Sequence, residues 1–158
     1  MNQRTNPKLA EDQVTALSNS MIVGPTDVAD VMTAKVVTLS PHHSFGEAAN
    51  LMNDRYFRHC VVVDAHRQVV GVISDRDILR ALARNPNARS KSLDQIMTHN
   101  PVTVRRDTPI AEAVSKIVSK RINCLPVVEE DGSVCGIVTS TDLLKSYQQL
   151  LDMMHKVR

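Results

Sequence analysis

The sequence predicts a mixed α/β fold of the α+β kind: two β-α-β-β-α repeats packed sheet to sheet with pseudo-twofold symmetry. Three observations predict it. The stretch GVISDRD at residues 71–77 returns as GIVTSTD at residues 136–142. Gly71 and Gly136, Asp77 and Asp142, Met32 and Met97, and Ala48 and Ala113 are all 65 residues apart, and the apolar pattern keeps this register from Val31 to Arg80 without a gap. Each half alternates short apolar runs with segments of helical spacing. Finally, 158 residues with 42% apolar content can bury one shared core, whereas one such unit alone is small for a stable core.

The elements follow in order. Residues 1–22 read as a tail, partly disordered or at best a weak helix. The first repeat spans 23–84. Val36-Val37-Thr38-Leu39 reads as a short strand. Phe45, Ala48, Ala49 and Met52 have the i, i+3, i+4, i+7 spacing of one helix face, and Ser44 with Glu47 can form a capping box. CVVVD and VVGVIS form a hairpin around the polar turn AHRQ. Their continuous apolar character requires cover on both faces. A second helix starts at Asp75, a good N-cap type. Residues 85–91 are a polar linker with one proline.

The second repeat spans 92–158. Val102-Thr103-Val104 is its first strand, and Ile110, Ala113, Val114 and Ile117 its first helix, with Thr108 before Pro109 as the start. LPVVE and VCGIVT make its hairpin around EDGS, and Ser140 opens the last helix. That helix runs on past its counterpart, with Leu143, Tyr147, Leu150 and Met154 as a stripe. The stripe either covers the protein's own core or is a self-association surface; both readings stand.

Composition excludes several functions. A net charge of +2 argues against a dedicated nucleic-acid binder, and 3% aromatics with no Trp against base-stacking platforms. No apolar run can span a bilayer, and MNQRTNPKLAEDQ lacks a signal core, so a cytoplasmic protein is expected. Cys60, Cys124 and Cys135 are odd in number and lack metal spacing, which predicts buried, reduced thiols. Adjacent His42 and His43 diverge and read as a loop pair rather than a metal site. No phosphate loop and no Ser-His-Asp constellation is present, and no enzyme is expected.

Asp77 and Asp142 fall in the first turn of a helix. The helix dipole alone would favour a carboxylate there by about 0.3–1 kcal/mol. A carboxylate can also receive both hydroxyls of a ribose. Ser74 and Thr139 can donate to ribose or phosphate, and free helix N–H groups attract anions. Gly71 and Gly136 allow either a close backbone approach or tight packing.

The motifs VMT, VVTL, CVVVD and GVISDRD, then IMT, VTV, LPVVE and GIVTSTD, resemble the CBS domain family over residues 27 to 147. A tandem pair of this kind resembles a Bateman module. The resemblance favours the ribose reading and implies adenosine-containing ligands (AMP, ADP, ATP or S-adenosylmethionine) in the cleft between repeats, as regulatory ligands with no cofactor required. It implies interlocked sites: Asp142, Thr139 and Thr141 with Thr33 and Val37; Asp77 and Ser74 with Thr98 and Val102. It also places Arg58 and His59 where the family sometimes reaches phosphate; the second repeat has Asn123 and Cys124 there, and Arg76 replaces Thr141. Unequal affinities are therefore expected. Val61 stands where the second repeat has Pro126, which leaves the backbone at the first base pocket open.

The expected function is a stand-alone regulatory module that signals through a change in repeat angle or in the pairing of two protomers. A ligand-free scaffold is the alternative, followed by a nucleic-acid-binding member of the family. Expected partners are the small molecule, a second copy of the chain and an unidentified protein target, without a membrane or nucleic acid.

Overall fold

The structure, a computed structural model, describes residues 24–156; the tail expected over residues 1–22 lies outside the described residues. The first-repeat elements are α1 (Val28–Val31), β1 (Thr38–Leu39), α2 (Phe45–Arg55), β2 (His59–Val63), β3 (Val69–Ser74) and α3 (Asp75–Arg84). Two 3-10 turns, Pro86–Ser90 and Leu93–Gln95, lead to β4 (Thr98–His99). Then come β5 (Val104–Arg105), α4 (Ile110–Lys120), β6 (Cys124–Val128), β7 (Val134–Thr139) and α5 (Ser140–Lys156). No helix among the described residues is long and apolar enough to cross a membrane.

Both hairpins form as the apolar runs predict. β2 pairs antiparallel with β3, and β6 with β7, each with one irregularity at equivalent places, Val62/Val63 and Val127/Val128. The turns are equivalent too: Gly132 has φ 82°, and Arg67 takes the same left-handed conformation at φ 61°. β1 and β5 add in parallel to β2 and β6. Both are shorter than or shifted from the strands expected over Val36–Leu39 and Val102–Val104. Val36 leaves the ladder to pack against the core between the repeats. Pro126 aligns with Ile137 just as Val61 aligns with Val72, so the Pro/Val difference leaves the pairing unchanged.

The repeats exchange their opening segments. The sheets run β1-β2-β3-β4 and β5-β6-β7, so β4, from the start of the second repeat, completes the first sheet. Thr98 pairs with Val72; 65 residues away in each strand, Thr33 bridges Ile137 of the second sheet. The bridges Ser44–Ser92 and Asp27–Pro109 have the same relation. Apolar anchors follow: Leu93 is fully buried in the first-repeat core, and Val28 is fully buried in the second. The segment expected as a linker over 85–91 contains a 3-10 turn that inserts Ala88 into the first core. A third cluster, Val61, Val63, Cys124, Val134 and Ile137, joins the two sheets face to face.

This exchange accounts for the repeated glycine. A Cβ on Gly136 would lie 2.9 Å from Met32 Sδ and 3.0 Å from the Thr33 carbonyl oxygen, and one on Gly71 would strike Met97 Sδ. Each glycine thus leaves room for the methionine that the other repeat inserts. Gly136→Ala should destabilise the fold by about 1–3 kcal/mol, the usual cost of overpacking. A denaturant titration with an unchanged midpoint would refute this packing role.

Two helix starts differ from expectation. The N-cap of α3 is Ser74 rather than Asp75, because Ser74 keeps extended dihedrals (φ −115°, ψ 161°) and Asp75 is already helical. Thr139 takes the same role for α5 in place of Ser140, which is already helical. At α4 the cap is Pro109, without a side-chain bond; Thr108 Oγ1 instead accepts from the Arg105 N–H at 2.9 Å. The Ser44–Glu47 capping box forms as expected.

Of the α5 stripe, Leu143 packs on the second-repeat core and Leu150 is half-buried beside Gly24. Tyr147 and Met154 remain 59% and 51% exposed. Leu143 and Leu150 thus pack on the chain itself, and Tyr147 and Met154 do not.

Candidate functional site

The exchange builds a cleft of about 460 Å³ where the two repeats meet, within the usual size of a small-molecule site. The stretch after α1 brings Thr33, Lys35, Val36 and Val37 to one side, and the β7–α5 junction brings Ile137, Thr139, Thr141 and Asp142 to the other. Tyr56, Phe57, Arg58 and His59, from the end of α2 into β2, form a third wall, and Ser74, Asp75, Arg76, Asn123 and Ser140 complete the lining. Eight of the eleven expected residues therefore share one cleft. Asp77, Thr98 and Val102 are outside its lining. Thr98 is exposed on β4, and Asp77 is held by Ser74.

At the floor, the Thr139 N–H and hydroxyl both donate to Asp142 Oδ2, at 2.8 and 2.7 Å. The Asp142 N–H donates back to Thr139 Oγ1 at 3.3 Å. This reciprocal cap satisfies free amides at the helix start. It also occupies two of the groups named as ligand contacts. The Thr139 hydroxyl, expected to donate to a ligand, already donates to Asp142, as Ser74 does to Asp77 at 2.6 Å. Asp142 Oδ2 thus carries two hydrogen bonds from Thr139. Among the described residues Oδ1 accepts neither of these bonds and keeps its acceptor sites.

Arg58 Nε donates to Asp75 Oδ2 at 2.9 Å, with the arginine side chain 73% exposed. An exposed pair of this kind is worth about 0–1 kcal/mol and exchanges easily. Burial lowers the pKa of His59 from its ordinary value, opposed in part by Asp75, so the imidazole is neutral at pH 7. Burial pushes the Cys60 and Cys124 thiols up to about 12, which makes them inert packing groups. Among the described residues no three His, Cys, Asp or Glu side chains gather as metal ligands, and His43 Nδ1 accepts from the Ser40 N–H.

Sequence reasoning passed over Lys35 and Ile137, and named Asn123 only as the uncharged counterpart of Arg58. Ile137 had a signal, since it lies one residue beyond the repeated glycine. Lys35 had none, because its repeat counterpart is the uncharged Asn100.

The CBS domain model matches residues 28–84 and 93–149. The chain belongs to the CBS domain family. The CBS pair of protein MJ0100, solved with 5′-methylthioadenosine and S-adenosyl-L-methionine, is 32% identical to this CBS pair. It superposes with a TM-score of 0.73 over 79% of this chain and 98% of that one. CBSX2 in complex with AMP is 26% identical, with a TM-score of 0.69 over 80% and 98% of the two chains. Homoserine O-acetyltransferase of Methanohalobium evestigatum is 36% identical over 124 residues, 78% of this chain and 24% of that protein. L-aspartate semialdehyde sulfurtransferase of Methanocaldococcus jannaschii is 34% identical over 77% of this chain and 23% of its own length. This CBS pair spans about a quarter of the length of these two curated relatives.

Proposed function

We propose that this CBS pair is a non-enzymatic regulatory module that binds an adenosine-containing ligand in the cleft between its repeats. One observation carries the reading: Asp142, locked in place by Thr139, keeps Oδ1 free in a cleft whose opposite wall is Thr33 and Val37. The carboxylate oxygen suits a ribose diol, and Val36, Val37 and Ile137 supply apolar surface for a base. Similar pairs solved with 5′-methylthioadenosine, S-adenosyl-L-methionine and AMP support it. Thermal melts with AMP, ADP, ATP and S-adenosylmethionine test it. A ligand at about a hundred times its Kd adds about 2.7 kcal/mol, a rise of roughly 5–10 °C for a chain of this size. No shift with any of the four would instead favour a ligand-free scaffold.

The output route follows from a shared wall. Tyr56, Phe57, Arg58 and Asp75 line both the cleft and a second hollow of about 580 Å³ between α2 and α3. A ligand that draws Arg58 from Asp75 alters both cavities at once, which supplies the differential interaction that a shift between two arrangements requires. A second copy of the chain is the partner that would cover the exposed Leu144, Tyr147 and Met154 of α5. Light scattering should then report a dimer, and a monomer for Tyr147→Glu; an unchanged mass in that variant would place the contact elsewhere.

A further inference from the structure

We infer that the cleft selects adenosine ligands carrying phosphate over neutral or sulfonium adenosine compounds. The inference rests on the adenosine reading above and narrows it.

Three cationic side chains, Lys35, Arg58 and Arg76, line the cleft. The carboxylates that face them are Asp75 and Asp142, and each already accepts hydrogen bonds within the chain. Asp75 Oδ2 accepts from Arg58 Nε, and Asp75 Oδ1 accepts from the Arg76 N–H at 2.7 Å. Asp142 Oδ2 accepts twice from Thr139. Three cations therefore face two acids, and one of those acids, Asp75, is already paired with Arg58. His59 also lines the cleft, and burial lowers its pKa from its ordinary value, so it adds little positive charge at pH 7.

The charge is specific to these positions. The residues 65 positions after Lys35, Arg58 and Arg76 are Asn100, Asn123 and Thr141, all uncharged. The fold does not require a cation there, since the equivalent places in the same architecture do without one. Among the described residues Arg58 pairs with one carboxylate, that of Asp75, and a guanidinium binds phosphate in a two-pronged geometry that a single Nε contact does not use. A phosphate would neutralise this excess. A thioether ligand would leave it unanswered, and a ligand of net positive charge would meet it with repulsion.

The ligand preference expected here thus differs from the ligands present in the MJ0100 pair. Calorimetric titration of the full chain with AMP, adenosine, 5′-methylthioadenosine and S-adenosylmethionine tests it. AMP should bind at least about tenfold more tightly than the other three, a factor of about 1.4 kcal/mol. Its affinity should also fall with added salt while that of 5′-methylthioadenosine holds. Lys35→Gln and Arg58→Gln should each lower AMP affinity and leave 5′-methylthioadenosine affinity unchanged, which a damaged fold would not do. Binding of 5′-methylthioadenosine or S-adenosylmethionine as tight as that of AMP would overturn the selectivity and leave the adenosine reading intact. An unchanged ratio in both variants would overturn the roles of Lys35 and Arg58. No binding by any of the four would overturn both readings together.

Discussion

Asp142→Ala is expected to weaken AMP binding by about ten- to a hundredfold and to destabilise the unliganded protein by about 1–2 kcal/mol. The two losses have separate causes. In the proposed function Oδ1 is the acceptor for the ligand, and a hydrogen bond to a charged group is worth about 1.5–3 kcal/mol. Oδ2 closes the cap of α5 by accepting from the Thr139 N–H and hydroxyl, and loss of such a cap costs about 1–2 kcal/mol. Asp142→Asn separates them, since its amide oxygen can still accept in the cap while its charge is gone. It should recover most of the stability and little of the affinity. Asp77→Ala should show the stability loss through the equivalent cap with Ser74, but a smaller effect on the ligand, because Asp77 is outside the cleft lining. Calorimetry and thermal melts on the four proteins check all of this; equal affinity for AMP in Asp142→Ala and the parent chain would leave Asp142 as a helix cap alone.

Leu93→Ala is expected to cost about 2–5 kcal/mol, the range for a buried leucine truncated in a packed core. Leu93 belongs by sequence to the second repeat, yet it is fully buried in the core of the first, with Phe45, Ile73 and Met97. Its carbonyl also accepts from the Met97 N–H at 2.8 Å, and its own N–H donates to the His43 carbonyl. Hydrogen exchange should therefore quicken first in β3 and α2, in the first repeat. Acceleration confined to α4 and β6 would mean that the opening segments do not exchange.

How far these features are legible in the sequence depends on what a repeat can reveal. A constant spacing identifies Thr33 with Thr98 and Gly71 with Gly136, and this suffices for the hairpins, the helices and the sheet-to-sheet arrangement. It does not say which copy of a segment completes which sheet. The signal that could have done so is the coupling of Met32 and Met97 to the two glycines, a size complement that only the exchanged arrangement satisfies. Ser74 and Thr139 were legible in a different sense. Ser-x-x-Asp is both a capping box and the family motif, and the pattern alone does not separate a hydroxyl that donates to a ligand from one that donates to its own aspartate. Residues 85–91 look polar by composition because the one side chain that anchors them, Ala88, is small. The excess charge of the cleft was only partly legible. Arg58 and Arg76 stand beside recognisable motifs, but Lys35 joins them through the fold.

The central claim is that Asp142 grips a sugar diol. A thermodynamic cycle tests it most directly, with the parent chain and Asp142→Ala each titrated with AMP and with its 2′,3′-dideoxy analogue. The account predicts that removing the diol or the carboxylate costs a similar amount, and that removing the second after the first costs almost nothing more. Fully additive losses would show that the carboxylate and the diol never meet.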